Sequence, residues 1–321
     1  MKTSLVILSP IFLSAAVESL QVAVIGTTGN IGRAVIQQLS KQNIPTRCLL
    51  RHDISNAPIK EMPSTSEEVA ASLASMNNVT MVKGDVTDPL SIQELVKDCD
   101  VIMALMGPAK PNPILSIFPI LSNQNAPSHP YMTNYIGVQN IIEAAKVTPS
   151  VKRIVRLTGK GEQPFSLITI LINMLGYLAK GWNYEGEQLL RQSGLDYTIV
   201  RPGLLKDSND YTEPPKARGL KDNGMDMKVS PVTYDQIAEL CVESIKFDNV
   251  KKSTLTVMNV EENTGDETYD GLLEKVEEDR RHFEPSLIKQ HRMGARFGFV
   301  GLSLFFGAFL KGLLGIFALF V

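Results

Sequence analysis

The stretch VAVIGTTGNIGRAVIQQL, residues 22–39, limits the chain's possible folds more than any other. Four apolar residues predict a buried strand, and Gly26, Gly29 and Gly32 follow it at regular spacing. Apolar residues then recur at helical intervals, so the glycines occupy a strand-to-helix turn. In such a turn the first glycine allows the tight bend and the second lets backbone approach a pyrophosphate. The third lets the helix close on the strand, and the free N–H groups at the helix start face the phosphates. This context predicts dinucleotide binding. A lone glycine repeat elsewhere in a chain would carry little weight.

The pattern continues as alternating strands and helices, which predicts an α/β, Rossmann-like, doubly wound parallel sheet over residues 20–260. Strands are expected at 21–25, 45–50, 79–83, 100–105, 153–158, 197–201 and 254–258. Helices are expected at 31–41, 66–76, 90–97, 131–146, 180–193 and 233–246. Residues 108–130 carry six prolines and predict an ordered apolar loop rather than a helix. Residues 205–230 are polar, with Pro214 and Pro215, and suggest a mobile segment. The apolar run 165–179 reads as a buried helix lining the substrate side, which would select an apolar substrate.

In this fold ligands lie beyond the carboxyl ends of the strands. A domain that takes NAD(H) places an acid after the second strand, to bind the ribose 2′-hydroxyl. Here Arg51 follows Leu50, and Asp53 comes two residues later. The arginine fork suits a 2′-phosphate, which favours NADP(H) over NAD(H). Asp85 and Val86, after the third strand, suit contact with adenine. Met106 and Gly107, then Thr158 and Gly159, come next toward the nicotinamide.

The segments VIGTTGNIGRAVIQQL, LLRHD, VKGDVTD, NYIGVQNIIEAAK, VKRIVRLTGKG and SGLDYTIVRPG occur in order at matching spacing. Residues 21 to about 260 thereby resemble the atypical short-chain dehydrogenase/reductases with an NAD(P)-binding, NmrA-like domain, of the plastid and cyanobacterial type. The resemblance implies NADP(H) as ligand, and either a reductase or a cofactor-sensing protein without turnover. It assigns Gly26, Thr28, Gly29, Asn30, Ile31 and Gly32 to the pyrophosphate loop, and Arg51 to the 2′-phosphate. Asp85 and Val86 match the adenine contact, Thr158 the active hydroxyl, and Arg201-Pro202-Gly203 the turn beside the nicotinamide. Lys160 stands near as a cation.

The chain departs from the family where relatives carry Tyr-x-x-x-Lys: the two positions are Ala179 and Asn183, before Glu187. Lys180 and Tyr184 lie one turn apart in the reverse order. Tyr184 reads as a packed aromatic and Lys180 as a solvated charge. Two functions stay open: a reductase acting on an apolar carbonyl or alkene, with Thr158 or water relaying the proton, and a redox-sensing binding module with a protein partner.

Lys and Arg number 32 against 34 Asp and Glu, a balance that predicts no nucleic-acid partner. Cys48, Cys99 and Cys241 lack metal or disulfide spacing, and four scattered histidines predict no metal site. Residues 1–19 read as a signal peptide or short N-terminal anchor, with Ser14 to Ala16 as a cleavage site. Residues 261–292 read as a charged, solvated connector. From Phe297 to Val321 only Lys311 is charged, so 293–321 is expected to be a transmembrane helix. This implies single-pass membrane localisation, in the secretory pathway or at a plastid, with Lys289, Arg292 and Arg296 on the domain side.

Overall fold

The computed structural model describes residues 20–51, 65–107, 123–127, 129–210, 217–228, 230–260 and 268–317. The N-terminal segment read as a signal or anchor lies outside them, as do His52, Asp53 and most of the proline-rich loop. Ten strands are described: β1 Val22–Ile25, β2 Thr46–Leu50, β3 Val79–Lys83, β4 Val101–Ala104, β5 Arg153–Leu157, β6 Tyr197–Pro202, β7 Leu204–Lys206, β8 Arg218–Lys221, β9 Pro231–Thr233 and β10 Ser253–Asn259. The helices are α1 Asn30–Lys41, α2 Ser66–Ala74, α3 Pro89–Leu95, α4 Gly137–Val147, α5 Leu167–Leu175, α6 Ala179–Gln192, α7 Tyr234–Ser244, α8 Asp270–Leu273 and α9 Ile288–Phe317. A π-helical turn, Tyr131–Ile136, leads into α4.

The main sheet runs β3-β2-β1-β4-β5-β6-β10-β8. All its pairs are parallel except β10 with β8. β1 is apolar throughout because both of its faces are covered. Val22 and Val24 enter one core with Val35, Leu39 and α7, while Ala23 and Ile25 enter the other with Ile92, Ile141 and Ile199. Local signals set the helix starts. Asp88 accepts from the Leu90 and Ser91 amides before Pro89-led α3, and Thr233 and Gln236 form a capping box on α7. The strand order reverses between β1 and β4, which opens a crevice at their carboxyl ends.

Four expectations need correction. Among the described residues no helix is long and apolar enough to cross a membrane, so the transmembrane helix and the membrane localisation built on it are not supported. α9 begins as part of the domain: His291 is fully buried, and a Cβ on Gly294 would stand 2.7 Å from the Pro164 carbonyl oxygen. Second, α5 does not bury its aliphatic side chains. Leu167 is 85% exposed, with Ile168, Leu171 and Leu175 also outward, while Thr169, Asn173 and Met174 face inward.

Third, the polar stretch 205–230 contributes β7 and β8, and β8 forms an antiparallel edge on β10. Fourth, the expected connector is fastened down over its described part. Asp279 accepts from the Thr254 amide and hydroxyl and from the Tyr197 hydroxyl. Glu185 accepts from the Leu287 and Ile288 amides at the start of α9.

Candidate functional site

A cavity of about 240 Å³ opens at the β1/β4 crevice. Its floor is the glycine turn. Gly26 has φ +98°, and a Cβ there would stand 2.7 Å from the Met106 amide nitrogen, so glycine is required twice over. Gly32 lies against the Gly26 carbonyl, where a Cβ would come within 2.1 Å of the oxygen. Thr27 fixes the loop by donating its hydroxyl to the Leu49 carbonyl at 2.8 Å. The start of α1 has no side-chain cap and no acidic residue in its first turn, so its amides remain suited to an anion.

Gly26, Thr28, Gly29, Arg51, Asp85, Val86, Met106 and Gly107 all line this cavity. Asn30, Ile31 and Gly32 do not; they form the first turn of α1, where Asn30 accepts from Arg33. Asp85 Oδ1 accepts from the amide and hydroxyl of Thr87, both at 2.8 Å, so its carboxylate shapes the turn after β3. Arg51 is exposed and forms no ion pair among the described residues. Ser66, the first residue of α2, and Thr133, in the π-helical turn, also line the cavity. Neither lies in a motif, and only the packing of α2 and of the π-helical turn brings them here.

The remaining sequence candidates lie away from the cavity. Thr158 donates its hydroxyl to Glu187 at 2.6 Å, and Lys160 pairs with Asp226. Arg201 is fully buried and binds Glu187 and Glu162. Pro202 ends β6, and Gly203 packs under Met258. Burial pushes the Glu187 carboxyl up, but Arg201 and Arg191 outweigh it and hold the carboxyl down at about 2. Tyr184 is buried and donates to the Glu284 carbonyl at 2.7 Å, with its phenol pushed up by burial. Lys180 is not a solvated charge: it is half-buried, its amine lying over Gly159.

One residue not singled out in the sequence organises the β4 end of the cavity. Arg156, near the carboxyl end of β5 and fully buried, donates Nη1 to the Ala104 and Met106 carbonyls at 3.0 and 2.9 Å. Its Nη2 reaches Asn134 and Asn183 at 3.3 and 3.2 Å. It thus ties the end of β4 to the π-helical turn and to α6. An arginine inside an apolar strand was the available signal.

Residues 26–248 match the family model described as NAD(P)H-binding. The chain belongs to the NAD(P)H-binding family. The match agrees with the resemblance of residues 21 to about 260 to the NmrA-like, atypical short-chain dehydrogenase/reductases. An uncharacterised chloroplastic protein of Arabidopsis thaliana is 26% identical over 80% of this chain and 75% of its own length. The chloroplastic protein TIC 62 of the same plant is 26% identical over 86% of this chain, which spans only 41% of that protein. A short-chain dehydrogenase/reductase of Veillonella parvula, solved in complex with NADP, is 13% identical with TM-score 0.54, over 78% of this chain and 98% of that one. It shares the fold. The cavity residues fit a dinucleotide: a cradle that admits no Cβ at Gly26, an uncapped helix start, and a cation after β2.

Proposed function

We propose that the chain binds NADP(H) in preference to NAD(H) and acts as a reductase-type Rossmann domain. One observation carries the preference: the residue lining the cavity directly after β2 is Arg51 rather than an acid, and Asp85, the carboxylate among the described lining residues, is engaged by the Thr87 amide and hydroxyl. Gly26, Thr28, Gly29 and the start of α1 hold the pyrophosphate, and Asp85 and Val86 frame the adenine. Met106 and Gly107 support the nicotinamide. When bound, the reduced cofactor supplies hydride to a small organic substrate. The exposure of α5 removes the reason for expecting that helix to form an apolar substrate pocket.

A second reading, cofactor sensing without turnover, is favoured by the commitments of Thr158 to Glu187 and Lys160 to Asp226. Titration of NADPH and NADH into the full chain, followed by nicotinamide fluorescence, tests the cofactor reading. Arg51→Ala is expected to weaken NADPH binding by roughly 10- to 100-fold, the worth of charge-assisted phosphate bonds, and to leave NADH binding unchanged. Equal weakening of both would remove Arg51 from the 2′-phosphate site. Absence of binding would end the proposal.

A further inference from the structure

One amine at the crevice has no partner among the described residues. Lys180 lies in the first turn of α6, and its Nζ stands 2.9 Å from where a Cβ on Gly159 would be. Apart from Gly159 and its chain neighbours, its Nζ and Cε are the only described heavy atoms within 4 Å of that point. The charged and titratable groups facing it are Glu187 on α6, Arg201 on β6 and His291 on α9. Glu187 is already occupied by Arg201, Arg191 and Thr158. Burial pulls the Lys180 ammonium below the usual lysine range, against the pull of Glu187.

Its place in the fold is informative. β4 and β5 run in parallel as far as Ala104 beside Arg156, and Gly107 and Gly159 each follow three residues beyond that last pair. Strands in a sheet lie about 4.8 Å apart. Lys180 therefore lies past the carboxyl end of β5, the strand next to β4, whose following residues Met106 and Gly107 line the cavity; apart from its chain neighbours, no described atom lies within 4 Å of a Cβ on Gly107. The backbone leading to it is strained. Tyr177 and Leu178, neither of them glycine, have φ of 50° and 64°. Asn173 Oδ1 then receives the Lys180 and Gly181 amides at 3.1 and 3.4 Å, and the Tyr177 ring stacks on His129. Strain of this kind persists where surrounding structure over-determines it, and it clusters at functional sites.

The geometry points to Lys180 as the proton donor for a small carbonyl substrate, an aldehyde, ketone or quinone, seated over Gly107 and Gly159. This rests on the dinucleotide reading above. The carbonyl carbon gains hydride from the reduced nicotinamide, which leaves oxidised. The π pair moves to the oxygen, the oxygen takes the Nζ proton, and an alcohol results. Half-exposed, the neutral amine regains its proton from water. A lowered pKa brings the donor nearer the working pH, which is where acid catalysis is most effective. A Cβ on Gly159 would press on the ammonium and shift it, so the glycine leaves the amine its present place.

The test uses the full chain, its Lys180→Met and Lys180→Arg variants, and 9,10-phenanthrenequinone as the carbonyl probe. NADPH affinity, the rate of NADPH oxidation from about pH 6 to 11, and carbon NMR of reductively methylated lysines are measured. The Lys180 signal is the one absent from Lys180→Arg. All three proteins are expected to bind NADPH alike, and the wild-type rate to fall as pH rises through the Lys180 pKa. Both variants should lose roughly 10²- to 10⁴-fold in rate, and Lys180→Met should also lose the pH limb. The Lys180 signal should titrate below the other lysines and move when NADP+ is added. Three results would overturn the assignment: a signal that titrates with the rest and ignores NADP+, a Lys180→Met variant with the wild-type rate, or a wild type that binds NADPH without oxidising it. A wild type that fails to bind NADPH would strike the cofactor reading itself, and this inference with it.

Discussion

At the scale of single residues, Glu187 decides how β5, β6 and α6 meet. It is completely buried, takes the Thr158 hydroxyl at 2.6 Å, and binds Arg201 and Arg191. A buried carboxylate with this set of donors stays ionised although burial opposes it. Its folded-state pKa of about 2 lies below the ordinary 4.5, so the stabilisation is present above pH 4.5 and is lost as pH falls toward 2. Glu187→Gln, which removes the buried carboxylate that Arg201 and Arg191 share and leaves them Glu162 and Asp279, is expected to cost about 3–5 kcal/mol at neutral pH. The gap between variant and wild type should close on acidification through that window. Urea unfolding at several pH values measures it, and a gap that stays constant to pH 2 would contradict the assignment. Sequence comparison points to Glu187 only as a landmark beside the missing Tyr-x-x-x-Lys pair. Its charge partners come from β6 and from the next turn of its own helix.

At the scale of elements, α5 and α6 show why an apolar run does not reveal its own orientation. Residues 165–179 are apolar enough to be read as buried, yet α5 turns Thr169, Asn173 and Met174 inward. Two partners select that face. Asn173 Nδ2 meets His291 Nδ1 at 2.9 Å while its Oδ1 caps α6, and Met174 lies against Gly298 of α9. Leu171→Ser is therefore expected to change stability by less than about 0.5 kcal/mol, as for an exposed position. Met174→Ala should cost about 2–5 kcal/mol, as for a buried one. Denaturant midpoints of the two variants decide this, and the reverse order would mean that α5 faces the other way. The π-helical turn Tyr131–Ile136 is similar in origin. Its residues read as ordinary helix, and the turn carries Asn134 to Arg156, while Gly186 of α6 leaves room for the Asn134 carbonyl.

At the scale of the whole molecule, the folded unit does not end near residue 260. Tyr269, Leu273 and Val276 belong to the same core as β1, α1 and α7, and Leu287 and His291 are buried further along. Each large apolar side chain withdrawn from water contributes about 1.5–3 kcal/mol. A chain stopped after Asn259 should accordingly lose more than about 5 kcal/mol of stability, and equal urea midpoints for the short and full chains would refute this. The order of strands and helices, the glycine turn and the cation after β2 were legible in the sequence, because they depend on local periodicity and on backbone that only glycine allows. The strands expected from the sequence agree with those observed to within a residue or two. What depends on distant partners was not legible: the hub at Arg156, the amine of Lys180 over Gly159, the inward face of α5, and the docking of residues 268–291. Periodicity identifies which residues share a face; only the packed structure determines what that face meets, because burial and charge pairing are properties of contacts between remote segments.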